Sequence, residues 1–116
     1  PLSAHCGIHH GMSCGILLPH VMEFNLGACP EKFAEIARAM GEITYGPSTM
    51  DAAYKAVEAV RKIMRDVDMP FTLREVGVRE EKIPQLVADS MLSASILINP
   101  RKTGKEDVER LFRKAF

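Results

Sequence analysis

From residue 50 to residue 67, apolar side chains return every three or four positions: Met50, Ala53, Val57, Val60, Met64 and Val67. Lys55, Glu58, Arg61 and Lys62 lie off that line. A helix repeats every 3.6 residues and a strand every two, so this pattern commits the segment to an amphipathic helix with one buried and one solvated face. After a loop containing Gly46 and Pro47, Ser48 is suited to cap its start, and Asp51 three residues on complements the free N–H groups of the first turn. Pro70 ends the element.

The same punctuation recurs along the chain. Pro30 stands where a first helical residue belongs, Phe33, Ile36, Ala37 and Met40 follow at helical spacing, and Gly41 supplies a stop. Residues 11–25 are mostly apolar, which predicts a helix buried all round and kinked at Pro19; a short buried strand over 16–18 is the competing reading. Thr72 with Glu75 forms a capping box for a short helical turn closed by Gly77. Another helix is expected from about Glu80, with Ile83, Leu86, Val87, Met91 and Ala94 inward and Pro84 forcing a staggered start. Residues 94–98 can be read as extended. Asn99 and Pro100 break the chain, and Thr103 with Glu106 forms a second capping box before a helix carrying Val108, Leu111, Phe112 and Ala115. The expected fold class is therefore an all-α bundle with short connections, a single helical domain over 1–116.

Charge narrows the function. Fifteen basic residues balance 15 acidic ones, so nothing in the surface seeks nucleic acid or anionic lipid. The longest apolar run, residues 15–21, contains Pro19 and His20 and falls far short of the roughly 20 residues that span a bilayer. No export signal is legible, and a cytoplasmic location is expected. Cys6, Cys14 and Cys29 lack paired CxxC spacing and read as reduced thiols. No glycine-rich phosphate loop follows a strand, so a nucleotide, if used, is held by another polypeptide segment.

The chemistry-bearing residues are His5, Cys6, His9 and His10, with His20 further on. Imidazole is the commonest side-chain ligand for iron and zinc. His5 and His9 would share a helical face, but Gly7 between them opposes a helix there. Three readings stand on the residues alone. These are polar loop residues; or His5, Cys6, His9 and His10 together make a stand-alone metal-binding module, although such tight spacing strains a tetrahedral site; or the Met-rich stripes serve a partner groove and the histidines are incidental.

Residues 1–25, PLSAHCGIHHGMSCGILLPHVMEFN, resemble a stretch of the iron-containing (group III) alcohol dehydrogenases, where a His-Gly leads into an apolar helix ending Leu-Leu-Pro-His-Val. Here His10 and Gly11 match the His-Gly, and Leu17 to Val21 match the helix. The resemblance continues through Cys29-Pro30-Glu31-Lys32-Phe33, Leu73-Arg74-Glu75 with Gly77-Val78, and Asn99-Pro100-Arg101, in the family's order. It implies the C-terminal helical domain of the dehydroquinate synthase-like, iron-containing alcohol dehydrogenase fold, with an N-terminal α/β domain for NAD or NADP lying elsewhere.

Within that domain the resemblance implies Fe2+, or Zn2+, held by one Asp and three His. His10 matches the last of these ligands; the others would precede Pro1. No residue of this chain is assigned a catalytic or nucleotide-binding role, and the chain alone is expected to be inactive. His9, Cys14 and Ser95 are implied to support the site or line its pocket. Cys14 stands where the family commonly has Asn, Gly27 where it has Pro, and Ser95 where many members have Cys. His5 and Cys6 are expected in a loop near the cavity, and His20 as a hydrogen-bonded structural residue. The partners implied are a small alcohol or aldehyde and further copies of the enzyme, with no nucleic acid and no membrane. A zinc-dependent glycerol-dehydrogenase-like enzyme is the nearer alternative within the superfamily.

Overall fold

The computed structural model describes residues 1–46 and 48–116; the expected loop residue Pro47 lies outside them. Among the described residues there are helices and turns and no strand. The elements are α1 (Leu2–Cys6), α2 (His10–Asn25), α3 (Pro30–Ala39), α4 (Thr49–Asp66), α5 (Ile83–Ser90), α6 (Ala94–Leu97) and α7 (Lys105–Ala115). 3-10 turns cover Leu26–Ala28 and Glu80–Lys82. The all-α expectation holds.

Local chemistry explains the boundaries. Ser48 caps α4, its Oγ accepting from the Asp51 N–H at 3.2 Å and donating to the Asp51 carboxylate at 2.7 Å. Helix α3 starts on Pro30 and closes as the Glu42 N–H reaches the Ala37 carbonyl and the Gly41 N–H reaches that of Arg38. Gly41 sits at φ +90°, the left-handed conformation that this closure needs. Helix α4 closes the same way with Asp68 in the left-handed position, φ 53°.

Two hydrophobic clusters share the interior. One joins Leu2, Ile8 and Ile16 to Leu73, Val78, Ile83, Leu86 and the α7 residues Val108, Phe112 and Ala115. The other lies around the α3–α4 hairpin, with Met22, Leu26, Phe33, Ala37, Ala53, Ala56 and Val57. The Cα radius of gyration is 14.8 Å and the principal extents are 44 × 32 × 18 Å. A compact chain of this length has a radius of roughly 13.4 Å, so the clusters lie side by side in a slab.

Helix α2 belongs to both clusters. It is helical throughout, passing through Pro19, which excludes the strand reading of 16–18. It is not buried all round: its buried positions are Ser13, Ile16, Pro19, Met22 and Asn25, one in every three. Because the helical repeat is 3.6, a three-residue spacing winds around the axis. Ile16 enters the first cluster and Met22 the second. Leu18, which faces neither, is exposed.

Four other expectations need correction. Residues 94–97 form a turn of helix, α6, rather than an extended segment, because the Ser93 hydroxyl accepts from the Ser95 N–H and starts it. The last capping box is displaced by one residue: Gly104 is the N-cap and its N–H donates to the Asp107 carboxylate at 2.9 Å. Thr103 instead donates its hydroxyl to the Arg101 carbonyl. The Thr72–Glu75 box does form, but over a hydrogen-bonded turn too short to be a helix. Ile36, Met50 and Val67, expected on buried stripes, are exposed, since α3 and α4 bury only the parts of their stripes that face each other and α2.

Candidate metal centre

Gly7 sets the geometry of the histidine cluster. It ends α1 in the left-handed conformation, φ 65°, so the backbone turns before α2 begins and His5 and His9 do not share a helix. His5, on α1 rather than in a loop, has its Nε2 against the Asp89 carboxylate of α5. Cys6, also on α1, is half-buried against the first cluster. His9 is the N-cap of α2, its Nδ1 accepting from the Gly11 N–H at 3.3 Å. Three of the four residues of the proposed stand-alone module, His5, Cys6 and His9, are thus separately engaged. Among the described residues no three His, Cys, Asp or Glu side chains come together as a metal cage, so that module is not supported.

His10 is different. It is the first residue of α2 and is exposed. Its Nε2 lies 3.4 Å from the Cys14 Sγ, one turn along the same helix. A helix start also presents unpaired N–H groups and the positive end of the helix dipole, which favour an anion nearby. An exposed imidazole with a thiol in reach offers one or two donor atoms. That suits one corner of a metal site and falls short of the three or four protein ligands of a complete one.

Ser95, the remaining predicted site residue, is placed elsewhere. It lines a largely apolar cavity of about 280 Å3 whose walls include Leu17, Val21, Phe24, Ile96 and Leu111. Neither His10 nor Cys14 lines it. Ser95 is tied into α6 through its N–H to Ser93.

His20 is expected to be hydrogen-bonded through its ring, but among the described residues its side chain makes no hydrogen bond. Half-buried on α2, its pKa is pushed down by burial and by the Arg61 charge, with Glu23 acting the other way and Lys114 adding a smaller downward push. Neutral imidazole is the favoured form there.

A latch that the residue-by-residue reading missed joins the end of α2 to the loop before α7. Asn25 and Asn99 exchange amide hydrogen bonds at 2.9 and 2.8 Å. Arg101 lies over the Phe24 ring at 4.1 Å from its centroid and donates to the Phe24 carbonyl. Asn25 is one of only two buried polar residues among those described, and a buried amide needs a partner. An Asn at the end of an apolar helix was the available signal.

The fold and the histidine-led apolar helix define the chain's class. It belongs to the Fe-containing alcohol dehydrogenase family, whose C-terminal description matches residues 1–116. It is 43% identical over 107 residues to the 1,3-propanediol dehydrogenase of Citrobacter freundii, covering 92% of this chain and 28% of that protein. It is 42% identical over 116 residues to the lactaldehyde reductase of Escherichia coli strain K12, covering 100% of this chain and 30% of the relative. A crystal structure of 1,3-propanediol oxidoreductase superposes with a TM-score of 0.96 at 40% identity, covering 99% of this chain and 30% of the other. The chain therefore spans about three-tenths of the length of these relatives.

Proposed function

We propose that this chain is the metal-carrying helical part of an iron-dependent alcohol dehydrogenase, which interconverts a small alcohol and its aldehyde or ketone with NAD or NADP. The observation that carries the reading is His10, an exposed imidazole on the first turn of an apolar helix, in a chain that matches the family over its whole length. The likeness to a propanediol dehydrogenase and a lactaldehyde reductase favours short, hydroxylated substrates.

In this reading His10 supplies one metal ligand, and an Asp and two further imidazoles come from outside residues 1–116. The metal, when bound, supplies Lewis acidity that lowers the pKa of an alcohol hydroxyl and readies the adjacent carbon to give hydride to a nicotinamide. This chain contributes placement. The Gly7 break and the His9 cap fix where α2 begins, and hence where the His10 ring stands. The peptide N–H groups of the first turn of α2 favour the negative charge that develops on a substrate oxygen nearby. Ser95 and the apolar cavity beside it form part of the substrate pocket. The nucleotide is held mainly by a separate domain, so residues 1–116 alone are inactive. The working enzyme is a cytoplasmic homo-oligomer.

The test uses the full-length enzyme that this reading requires, with 1,3-propanediol as the probe substrate. Removing metal with a chelator should abolish NAD(P)-linked oxidation, and added Fe2+ should restore it. Oxidation that survives complete metal removal contradicts the proposal.

A further inference from the structure

The stretch that carries Ser95 is held to the rest of the domain by very little. Helix α6 has no buried residue, and around it Leu92, Leu97 and Ile98 are 85%, 86% and 83% exposed. Of the apolar side chains here, only Met91 and Ile96 pack against the first hydrophobic cluster, and both are half-buried. Among the described residues, the hydrogen bonds of residues 91–98 reach no further than four positions along the chain. An element with so few buried contacts belongs to the easily opened part of a fold. The tie comes at Asn99. Its amide exchanges two hydrogen bonds with that of Asn25 on α2 and donates to the Arg101 carbonyl and the Thr103 hydroxyl. Asn25 is buried, where water competes least for such a pair.

The same tie spans the apolar cavity. Ser93, Ser95, Ile96 and Asn99 line it from the weakly held stretch, and Val21 and Phe24 line it from α2. Asn25 directly follows Phe24, and Arg101 lies over the Phe24 ring and donates to its carbonyl. Both walls are therefore pinned at one corner. From this we infer that Asn25 and Asn99 are positioning residues for the substrate: the amide pair holds the wall that bears Ser95 against α2 and so sets the width of the cavity that receives the carbon chain of the alcohol. The inference rests on the reading of this cavity as part of the substrate pocket and adds to it the device that fixes its shape. Neither Asn touches the metal ligand His10 in this arrangement, so the pair acts on substrate fit and leaves the reacting centre alone.

The test uses the iron-loaded full-length enzyme with 1,3-propanediol. In Asn99→Ala the KM for the diol should rise about tenfold or more, the scale on which a misplaced support acts. Contacts common to ground and transition state are lost, so kcat per bound iron and the KM for the nicotinamide nucleotide should stay within about twofold of the parent. Asn25→Ala should move the diol KM the same way, and the double variant should match Asn99→Ala alone, because both changes break one pair. Amide hydrogen exchange should quicken in residues 91–99 and not in α4. Asn25→Asp, which can accept from Asn99 but not donate to it, should give the same changes in smaller measure, and it serves where an alanine variant does not fold. An unchanged KM for the diol overturns the inference, as does unchanged exchange in residues 91–99. Loosening that reaches α4, or equal losses in kcat and both KM values, marks a general loss of structure and overturns it too. A parent enzyme that oxidises no alcohol with NAD or NADP would instead sink the dehydrogenase reading itself, and this inference with it.

Discussion

Helices α2 and α4 are nearly the same length and use their surfaces differently. Helix α4 buries Ala52, Ala53, Ala56, Val57, Ala59 and Met64 and turns Glu58, Lys62, Arg65 and Asp66 to water. Helix α2 buries a winding line of residues split between two clusters, and its exposed face carries His10, Cys14 and Leu18, four apart, with no Asp, Glu, Lys or Arg before Glu23. A charged face is finished by water. A face of imidazole, thiol and leucine is suited to contact with a ligand or another polypeptide, and that difference separates the scaffold from the proposed site.

The largest expected effect probes the two-cluster role of α2. Ile16→Ala should destabilise the chain by about 2–5 kcal/mol, and Met22→Ala should fall in the same range, because both remove buried side chains. Since they belong to different clusters, the double variant should equal the sum within about 0.5 kcal/mol. Urea unfolding measures this, and strong coupling would show that the interior is one core. Next comes the latch: Asn25→Ala strands one side of a buried amide pair and should cost about 1–3 kcal/mol by the same assay.

A smaller effect depends on pH. Burial and Arg61 lower the pKa of His20 from its usual 6.5, so over the interval just below 6.5 the unfolded chain binds the proton more readily than the folded one. Stability then falls as pH drops through that interval and levels off below the folded pKa. His20→Gln should reduce this acid-side loss, read as a smaller change in urea midpoint between pH about 7.5 and about 5.5. An unchanged difference would remove His20 as its source. Least disruptive is Leu18→Glu, on the exposed face of α2. It should leave stability within about 0.5 kcal/mol and reduce self-association in sedimentation; a chain that is already monomeric at high concentration would argue against a sticky α2 face.

The contrast also explains what could be read in advance. The hairpin was legible because α3 and α4 face each other: the Ser48 cap, the Gly41 stop and the middle of the α4 stripe, Ala53, Val57 and Met64, appear in the structure, while its ends at Met50 and Val67 are exposed. The burial of α2 was not, since its buried positions recur every three residues, off the 3.6-residue helical repeat, and serve two neighbours. The last cap shifts from Thr103 to Gly104 because the Thr103 hydroxyl donates back to the Arg101 carbonyl and the Asp107 carboxylate takes the Gly104 N–H. At the site, the His-Gly start of α2 was visible in the residues, whereas the engagement of His5 by Asp89 links positions 84 residues apart, beyond any local pattern.

Metal analysis of the purified full-length enzyme, with and without His10→Ala, reaches the centre of this account. Because His10 is exposed and makes no core contact, the variant should melt within a few degrees of the parent in the metal-free state yet retain much less iron. Equal iron per subunit in the two proteins would contradict the assignment of His10 as a ligand.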